Sequence, residues 1–364
     1  MTRAPVKAAV LREAGRPLTV EELFLDAPMA GEVRIRTHAV GLCHSDLHYV
    51  QGKLPINLPA VLGHEVVGEV DQVGPDCTSL EVGDRVVITI TPSCGICALC
   101  QSGRATLCRN AATFRERLRP KLLDAQENEV NLLGAIGAFA EAFVVHERAA
   151  VQLDSDMDAA EACLLGCCVA TGFGAVVHGA AVGALDTVAV IGCGGVGIAT
   201  IQAARIAGAR KVIAIDLFEE KLDRAESFGA THRIRSGPDV LADLVRIAPG
   251  GVDKSFEAVG SPTTAALAFN ILAPAGVATV LGLQPPGNTI EIGADMLIEG
   301  DRKITGAYMG SNQLARDMPS FIDHQARGTL RLQDMVTSRW AFEDINQGFD
   351  AMQDPTSVRA VVEF

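Results

Sequence analysis

The hydrophobic positions follow one pattern in the first part of this chain and another in the second. Residues 33–37 (Val-Arg-Ile-Arg-Thr) alternate apolar with polar side chains, as a strand with one buried face does. The segments 66–70 and 85–90 predict two further strands, and glycine-containing turns are predicted at 74–76 and 81–84. The first part of the chain is therefore predicted to be rich in β-strands.

From about residue 187, short apolar runs alternate with segments of helical composition. The runs predict buried strands at 187–191, 211–216, 255–259 and 276–282. Helices are predicted at 198–207 and 221–228. Because strands that alternate with helices pair side by side through right-handed crossovers, this part predicts an α/β fold with a parallel sheet.

The composition mainly excludes classes of protein. The 364 residues suffice for two domains, and 48% apolar with 21% charged residues is typical of a globular chain. The net charge is −13 and only 4% of the residues are aromatic. Because nucleic-acid binding needs a basic or aromatic surface, we expect no nucleic-acid partner.

The location of the protein is predicted from two features of the chain. The uncharged stretch 162–185 is interrupted by glycines, which favours a buried core over a membrane span. The N-terminal segment contains no apolar run long enough for a signal peptide. We therefore expect a cytoplasmic protein without membrane contact, in which clustered cysteines are more often metal ligands than disulfides.

A glycine-rich segment follows the predicted strand 187–191 and opens the next predicted helix. It satisfies the pattern G-x-G-x-x-G with Gly192, Gly194, Gly195, Val196 and Gly197. In this strand-to-helix context the glycines allow a tight turn and a close approach of the backbone to a pyrophosphate, which the helix N-terminus attracts.

An acidic residue, Asp216, ends the second predicted strand about 20 residues after the glycines. A carboxylate at this place accepts hydrogen bonds from both ribose hydroxyls and repels a 2′-phosphate. Leu217 and Phe218 follow it, so no arginine is present there to neutralise such a phosphate. This part of the sequence therefore predicts NAD rather than NADP as cofactor.

Four cysteines lie within one short segment, a lobe at about residues 91–110. They are Cys94, Cys97, Cys100 and Cys108. Four thiolates satisfy the tetrahedral coordination of zinc and leave no open position, so the spacing predicts a structural zinc site. An iron–sulfur cluster is the competing interpretation, and it is disfavoured because the chain shows no second electron carrier.

A second group of metal-ligating residues surrounds Cys43. The segment 43–48 contains two histidines, a serine and an aspartate, and His64 follows on the segment 63–68. A catalytic zinc needs three protein ligands and one open position, and Cys43 with His64 supplies two of them. The spacing alone leaves four candidates for the third ligand: Cys163, Cys167, Cys168 and Cys193.

These motifs together resemble the zinc-dependent medium-chain alcohol dehydrogenases over nearly the whole chain. The segment Gly63-His64-Glu65-x-x-Gly68 is similar to the zinc signature of that family, and Val73-Gly74 follows it. The four-cysteine lobe and the glycine motif stand in the order found in the family. The last eight residues, 357–364, resemble the closing strand of the family.

The resemblance implies a role for each residue near the predicted catalytic zinc. Cys43, His64 and Cys167 would bind that zinc, because Cys167-x-x-x-Thr171-Gly172 resembles the third-ligand segment of the family. The remaining catalytic residues would be Ser45, which contacts the substrate oxygen, His48, the outer histidine of a proton relay, Asp46, which orients His64, and Glu65, behind the metal.

The resemblance also implies which residues contact the cofactor. His44 and Arg359 would contact the pyrophosphate, and Lys221 would contact the adenosine ribose. Thr171 and Val196 would pack on the nicotinamide. Leu281, Leu283 and Met309 would complete the cofactor site.

The architecture of the family implies a GroES-like, β-rich catalytic domain and a Rossmann coenzyme domain. The catalytic domain would comprise residues 1–168 and 309–364, and the NAD-binding domain residues 169–308. Each subunit would hold two zinc ions, one catalytic and one structural, together with NAD. A homodimer or a homotetramer is expected, since both occur in the family.

The predicted reaction is the reversible oxidation of an alcohol to an aldehyde or ketone. Ile90 and Ser45 are smaller than their counterparts in some relatives, which favours a bulky primary alcohol, such as an aromatic or terpenoid one. The alternatives are a glutathione-dependent formaldehyde dehydrogenase, disfavoured because those relatives have a tyrosine at position 48, and a non-catalytic protein that binds NAD and zinc.

The segment 109–133 matches no subgroup of the family. It contains four basic residues, Arg115, Arg117, Arg119 and Lys121. Its charged and irregular composition predicts a surface excursion, more simply explained as a solvated loop than as the border of an anion-binding pocket.

Overall fold

The computed structural model describes residues 3–117 and 120–364, and it divides the chain into two compact units. The first unit contains Met1–Cys167, Gln313–Ile322 and Leu332–Phe364, and the second contains Cys168–Asn312 and Asp323–Arg331. Arg119, one of the basic residues singled out in the sequence, lies outside the described residues.

The strands and helices have the following bounds. The strands are β1 (Ala4–Leu11), β2 (Thr19–Leu25), β3 (Glu32–Gly41), β4 (Ala60–Val61), β5 (Glu65–Val73), β6 (Arg85–Ile88), β7 (Leu122–Leu123), β8 (Asn131–Leu132), β9 (Ala142–His146), β10 (Ala150–Gln152), β11 (Thr187–Ile191), β12 (Lys211–Asp216), β13 (His232–Arg235), β14 (Val252–Glu257), β15 (Leu272–Val280), β16 (Lys303–Gly306), β17 (Val336–Ala341) and β18 (Arg359–Glu363). The α-helices are α1 (His44–Val50), α2 (Ala98–Gln101), α3 (Ala159–Ala162), α4 (Cys168–Gly174), α5 (Gly195–Ile206), α6 (Glu219–Ser227), α7 (Val240–Ile247), α8 (Pro262–Asn270), α9 (Ala294–Glu299), α10 (Leu314–Ala326) and α11 (Ile345–Ala351). Short 3-10 helices lie at Ala105–Leu107, Ala112–Phe114, Leu133–Ala135, Glu147–Ala149, Cys163–Gly166, Tyr308–Ser311, Gln333–Met335 and Phe342–Asp344, and a π-helix at Ala175–Gly179.

The first unit is built mainly from two sheets. One has the strand order β7-β2-β1-β4-β8, and the other has the order β10-β6-β5-β3-β18-β17, with β9 also paired to β3. The predicted alternation is confirmed in β3, where Val33, Ile35 and Thr37 are buried and Arg36 is exposed. The closing strand β18 lies antiparallel to β3, so the end of the chain completes the sheet from which the metal-ligand segments emerge.

The second unit contains a parallel sheet with the strand order β13-β12-β11-β14-β15-β16. This order reverses between β11 and β14, as it does in doubly wound dinucleotide-binding folds. The predicted strands 187–191 and 211–216 are confirmed, whereas the next two begin three and four residues earlier than predicted. The predicted start of β14 was wrong because Asp253 interrupts the apolar run. Its carboxylate accepts a hydrogen bond from the Thr187 N–H at 2.7 Å.

Residues 309–312 belong to the second unit, although the prediction assigned them to the catalytic domain. Gly310 lies so close to Thr171 that any side chain at residue 310 would overlap the backbone of Thr171. Gly174 is similarly pressed against Gly310 and Asn312. This close backbone packing holds residues 309–312 against α4, and no pattern in the local sequence predicts it.

Residues 323–331 also belong to the second unit and correct the predicted boundary in the same way. The N–H of Arg331 donates to the side chain of buried Gln202 at 2.8 Å. The Arg331 guanidinium lies 4.7 Å from the centre of the Phe228 ring. These contacts are made by side chains distant in sequence, so the boundary could not be placed from composition.

The segment 109–133 was predicted as a surface excursion, and the structure shows that part of it is buried. Lys121 is only 7% exposed, and its ammonium group donates to the carbonyls of Ala135 and Val144. The side chain of Arg117 is 6% exposed and forms an ion pair with Asp26. The prediction was wrong here because a buried cation and a solvated one look alike in sequence when their partners are far away along the chain.

In the described part of the chain, no helix is both long and apolar enough to span a membrane by itself. The helices Ala159–Gly166 and Cys168–Gly179 meet that length and composition test only when they are taken together as a bent pair. They coincide with the uncharged stretch predicted to be core, and residues 163–176 are buried.

Candidate metal centres and cofactor site

The four cysteines of the lobe come together around one point. Their sulfur atoms all lie within 4.8 Å of one another. The Sγ atoms of Cys97 and Cys100 are 3.5 Å apart, and those of Cys94 and Cys100 are 4.0 Å apart. A tetrahedral zinc with bonds of about 2.3 Å places its sulfur ligands about 3.8 Å apart, so the four thiols fit a zinc ion.

The backbone of the lobe stabilises thiolates. The N–H groups of Cys97 and Cys94 donate to the sulfurs of Cys94 and Cys108, each at 3.3 Å. Backbone hydrogen bonds lower the pKa of Cys97 to about 6, whereas burial and the neighbouring Cys97 raise the pKa of Cys100 to about 12. Four close sulfurs that cannot all ionise unaided are typical of a site completed by a cation.

A second cluster is formed by Cys43, His64 and Cys167, which are all buried and belong to the first unit. Their ligating atoms lie within 4.8 Å of one another, and the Cys167 Sγ is 3.3 Å from the His64 Nε2. Of the four candidates left open for the third ligand, the structure brings Cys167 to this point. Among the described residues, no further histidine, cysteine or carboxylate side chain joins these three.

Three chain segments that are remote in sequence position these ligands. Cys43 follows β3, and His64 stands immediately before β5, after Gly63 in a left-handed conformation with φ of +89°. Cys167 lies in an irregular conformation at the break between the 3-10 helix 163–166 and α4. Gly166 allows this break to approach β6, because a side chain there would meet the Ile88 carbonyl oxygen at 2.6 Å.

Asp46 connects two of the ligand segments from a fully buried position. Its Oδ1 accepts the Gly63 N–H at 3.0 Å and lies 3.3 Å from the His64 Nδ1, while its Oδ2 accepts the Cys43 N–H at 3.4 Å. A hydrogen bond from Nδ1 to the carboxylate leaves Nε2 as the nitrogen that faces the cluster. This geometry supports the predicted role of Asp46, which is to orient His64.

Glu65 and Arg359 form a buried ion pair next to the cluster. The Arg359 Nε lies 3.1 Å from the Glu65 Oε1, and Arg359 also donates to the Leu42 carbonyl at 3.1 Å. Gly41 is required here because a side chain at that residue would overlap the Glu65 carboxylate. Within the first unit the arginine therefore contacts the backbone next to Cys43, and its predicted contact with a pyrophosphate stays a prediction.

The electrostatics of the cluster favour binding of a cation. The hydrogen bond from Cys167 lowers the pKa of Cys43 well below its usual range, and the same interaction raises the pKa of Cys167. Burial acts to lower the pKa of His64, but the Asp46 carboxylate and the Cys43 sulfur together outweigh burial and raise it. Two sulfurs and an imidazole thus share protons that a dication would displace, and their spacing fits mixed sulfur and nitrogen ligation of zinc.

The predicted substrate and relay residues lie on α1, directly after Cys43. Ser45 and His48 are half-buried and His44 is exposed. The Nδ1 of His48 is buried without a hydrogen-bond partner in the described structure. Burial and the charge of Lys53 lower the pKa of His48, so its ring is neutral at neutral pH.

In the second unit, the glycine motif forms the turn between β11 and α5. Gly192 has a φ of +90°, and Gly194 caps α5 with an extended conformation. A side chain at Gly197 would overlap the Gly192 carbonyl, so the helix starts directly against the turn. The free N–H groups of this helix start fit a pyrophosphate, as the motif predicts.

Asp216 lies beside this turn at the carboxyl end of β12. One carboxylate oxygen accepts the Cys193 N–H at 2.7 Å, and the other accepts the Phe218 N–H at 3.2 Å. These bonds hold the carboxylate at the edge of the sheet where the ribose of a dinucleotide binds.

The other predicted cofactor residues of the second unit also lie near the carboxyl edge of its sheet. The Thr171 hydroxyl is 3.9 Å from the Met309 sulfur, so these two residues are in contact. The Nζ of Lys221 lies 5.5 Å from the centre of the Phe218 ring. Leu281 and Leu283 follow β15; Leu283 is exposed and Leu281 is half-buried, as is Val196 on α5.

The sequence interpretation missed two residues at this edge. Glu257 is fully buried at the end of β14, and its Oε1 accepts hydrogen bonds from the N–H groups of Val259 and Gly260 at 2.9 and 2.7 Å. Arg235 lies in register with Asp216 on the neighbouring strand β13. An acid at the end of a predicted strand could have indicated Glu257, but only strand pairing reveals Arg235.

The chain is similar to known dehydrogenases over its whole length. Residues 29–155 match the alcohol dehydrogenase GroES-like domain family, and residues 195–326 match the zinc-binding dehydrogenase family. The NDMA-dependent alcohol dehydrogenase of Amycolatopsis methanolica is 33% identical over 363 residues, which cover 98% of each chain. The S-(hydroxymethyl)glutathione dehydrogenase of Saccharomyces cerevisiae is 34% identical and covers 99% of this chain and 97% of its own.

The structural comparison agrees with the sequence comparison. The benzyl alcohol dehydrogenase of Acinetobacter calcoaceticus is 30% identical to this chain, and the two share a TM-score of 0.90 over 99% of each. The β-rich first unit and the doubly wound second unit are therefore the GroES-like and Rossmann-like domains expected from the resemblance. The chain belongs to the zinc-dependent medium-chain dehydrogenase/reductase family.

Proposed function

We propose that the protein reversibly oxidises an alcohol to an aldehyde or ketone by transferring a hydride to NAD. The observation that carries the proposal is the three-donor cluster of Cys43, His64 and Cys167. Three protein ligands leave one position of a tetrahedral zinc for a substrate, whereas a site that only stabilises the fold has four. Alcohol dehydrogenases at about one third identity support the same reaction class.

The residues of the chain would hold the substrate and move its proton. When bound, zinc supplies a Lewis acid that lowers the pKa of the alcohol hydroxyl, and nicotinamide supplies the hydride acceptor. Ser45 would accept the hydroxyl proton, and His48 would pass it to solvent. The lowered pKa and the unpaired Nδ1 of His48 suit this role, since a neutral ring with a free nitrogen accepts a proton.

We propose NAD as the preferred cofactor because of the fixed carboxylate of Asp216. A negative charge held at the ribose favours its two hydroxyls and repels a 2′-phosphate. One relative is named as NDMA-dependent, so NDMA is included in the substrate screen as an alternative hydride acceptor.

The proposed substrate is a bulky primary alcohol, such as an aromatic or terpenoid one. Ile90 stands where many relatives have an aromatic side chain. It packs against Gly134, where an added side chain would meet Ile90 at 2.6 Å. Replacing Ile90 by phenylalanine should lower kcat/KM for benzyl alcohol relative to ethanol, by about 1–3 kcal/mol of discrimination.

A second candidate function is the oxidation of S-(hydroxymethyl)glutathione. The similarity to the yeast enzyme of that name favours it. The histidine at position 48 disfavours it, because the corresponding relatives have a tyrosine there.

The experiment that tests the proposal is a substrate screen on the zinc-loaded protein. Ethanol, benzyl alcohol, a terpenoid alcohol and S-(hydroxymethyl)glutathione are each tested with NAD, NADP and NDMA, and turnover is followed by absorbance. We expect the highest kcat/KM for benzyl or terpenoid alcohol with NAD. Preference for the glutathione adduct would establish the second candidate, and no turnover with any pair would indicate a non-catalytic protein.

We also propose that the protein forms a homo-oligomer. Strand β16 ends the described sheet of the second unit, and three of its four residues are exposed. Ile298 on the preceding helix is 83% exposed. An unpaired edge with exposed apolar residues is suited to pairing with a second copy. Light scattering should show a dimer or tetramer, and Thr305→Pro should shift it towards the monomer.

We propose a cytoplasmic location. None of the ten cysteines forms a disulfide, and six of them lie in the two metal clusters, as expected in a reducing compartment. Fractionation of the native host with antibody detection would test this, and recovery outside the cytoplasm would contradict it.

A further inference from the structure

The strand next to Asp216 carries an arginine at its carboxyl end. Strands β12 and β13 are parallel, and Asp216 is in register with Arg235. The Nε of Arg235 donates to the Leu217 carbonyl at 3.3 Å, so the guanidinium lies beside the loop that follows Asp216. Arg235 is 19 residues beyond Asp216 in the chain, so only the pairing of the two strands brings this cation beside the acid.

The charge of Arg235 is available to a ligand. Arg235 is exposed, and no ion pair to it is seen in the described residues. Arg233, two residues earlier on the same strand, instead pairs with Asp223 and lies 3.7 Å from Glu226. Of these two arginines, the one without an acidic partner is the one at the edge where dinucleotides bind.

The Asp216 carboxylate has little freedom to move away from this edge. Both of its oxygens accept backbone hydrogen bonds, from Cys193 and Phe218. A fixed anion and an exposed cation therefore stand at the ends of adjacent strands, at the place where a Rossmann fold holds the adenosine ribose. The anion repels a phosphate on the ribose 2′-oxygen, whereas a guanidinium attracts one through paired N–H groups.

We infer that Arg235 is a specificity-determining residue that recognises the 2′-phosphate of NADP. The preference for NAD is then set by the balance of Asp216 against Arg235 and not by the acid alone. Glu219 and Glu220, in the first turn of α6, add negative charge shortly after Asp216, and Lys221 directly after them adds one positive charge. This inference rests on the proposed function, because it requires a dinucleotide at the glycine motif.

The test measures binding of two ligands that differ only by the 2′-phosphate and undergo no hydride transfer. ADP-ribose and 2′-phospho-ADP-ribose are titrated by calorimetry into the wild type, Asp216→Asn, Arg235→Ala and the double variant. We expect Asp216→Asn to tighten binding of the phosphorylated ligand about tenfold. Adding Arg235→Ala to Asp216→Asn should reverse this gain about tenfold and leave ADP-ribose within about twofold.

Arg233→Ala is the matched control, since it removes a cation from the same strand without removing one from the edge. It should leave the affinity ratio of the two ligands unchanged. The inference is overturned if Arg235→Ala changes both ligands equally or neither of them, while the wild type still binds ADP-ribose. If the wild type binds no ADP-ribose, the proposed function fails as well, and the two failures are thereby distinguished.

Discussion

The two metal clusters of the first unit differ in how they are assembled and in what they leave open. The lobe draws four thiols from 15 consecutive residues, 94–108, whereas Cys43, His64 and Cys167 come from segments up to 124 residues apart. The lobe offers four ligands and the other cluster three. A zinc ion with four protein ligands can only stabilise the fold, whereas a zinc ion with three has one position left for a substrate.

The number of ligands is therefore the difference between the two clusters that bears most directly on their roles. Both clusters contain sulfurs close enough to share protons. The three ligands of the other cluster are all buried and braced by Asp46, whereas three of the four lobe cysteines are half-buried and the lobe is braced by backbone N–H groups. Loss of zinc from the lobe should therefore affect folding, and loss of zinc from the three-donor cluster should affect turnover.

The largest expected effect is the loss of turnover in Cys43→Ser. Removing one of three ligands should lower kcat/KM for the best alcohol by about a thousandfold or more, because the Lewis acid is lost or misplaced. Elemental analysis should fall from two zinc ions per chain to one. Cys163→Ser is the control, since it changes a buried cysteine outside both clusters and should retain full activity. Wild-type turnover in Cys43→Ser would remove the basis for the comparison.

A smaller effect on chemistry and a larger one on stability are expected from Cys97→Ser in the lobe. The variant should lose one zinc ion and several kcal/mol of unfolding free energy, since binding free energy at such a site is folding free energy. Denaturant unfolding and zinc content measure this. Cys77→Ser, outside the lobe, should change neither. A stable Cys97→Ser protein without activity would reverse the two roles.

Asp46→Asn tests the brace of the open cluster. The amide keeps the shape of the side chain but removes the charge that orients His64 and favours its Nδ1 proton, so zinc affinity should fall about 10–100-fold. Competition with a chelator measures this affinity. Asp71→Asn is the control on strand β5, where the carboxylate forms a partly exposed ion pair with Arg34. Equal effects of the two variants would show that Asp46 does not orient the ligand.

Acid should empty the open cluster through His64. In the metal-free protein the pKa of His64 is raised, so the ring is protonated at neutral pH and must lose a proton before Nε2 binds a metal. Zinc affinity should therefore rise with pH and fall as the pH drops through neutrality. Zinc titrations of the apoprotein at pH values from about 6.5 upwards, the side to which the pKa of His64 is shifted, should release protons to an indicator dye. Affinity independent of pH would contradict this reasoning.

The smallest expected effect is that of His48→Gln on the pH profile. The pKa of His48 lies below the usual histidine value of about 6.5, so the ring stays neutral and able to accept a proton at and somewhat below neutral pH. Wild-type kcat should therefore fall only at acidic pH. The glutamine variant should lose this inflection and turn over about tenfold more slowly near neutrality. His38→Gln, another half-buried histidine of lowered pKa, should leave the profile unchanged. A pH profile of His48→Gln that is identical to that of the wild type would rule out the relay.

Local patterns were sufficient for most elements of the fold. The alternation at 33–37 and the apolar runs at 187–191 and 211–216 determine their own strands, because a side-chain period directly expresses which face is buried. The four-cysteine lobe also follows from the local sequence, since four cysteines on one short loop lie close together in space. Lys121 shows the limit of such patterns, because its burial depends on carbonyls 14 and 23 residues away.

Residues close together in the chain were enough to predict the glycine turn, the four-cysteine lobe and a cysteine and a histidine suited to a second metal, and the family resemblance added Cys167 and Asp46. The three-dimensional fold shows that Cys167 and Asp46 lie at that cluster, that Arg359 pairs with Glu65, and that Arg235 is in register with Asp216. The physical reason is that chemistry depends on distances between side chains. Distances within one turn follow from backbone geometry, whereas those between remote segments follow from sheet register and packing.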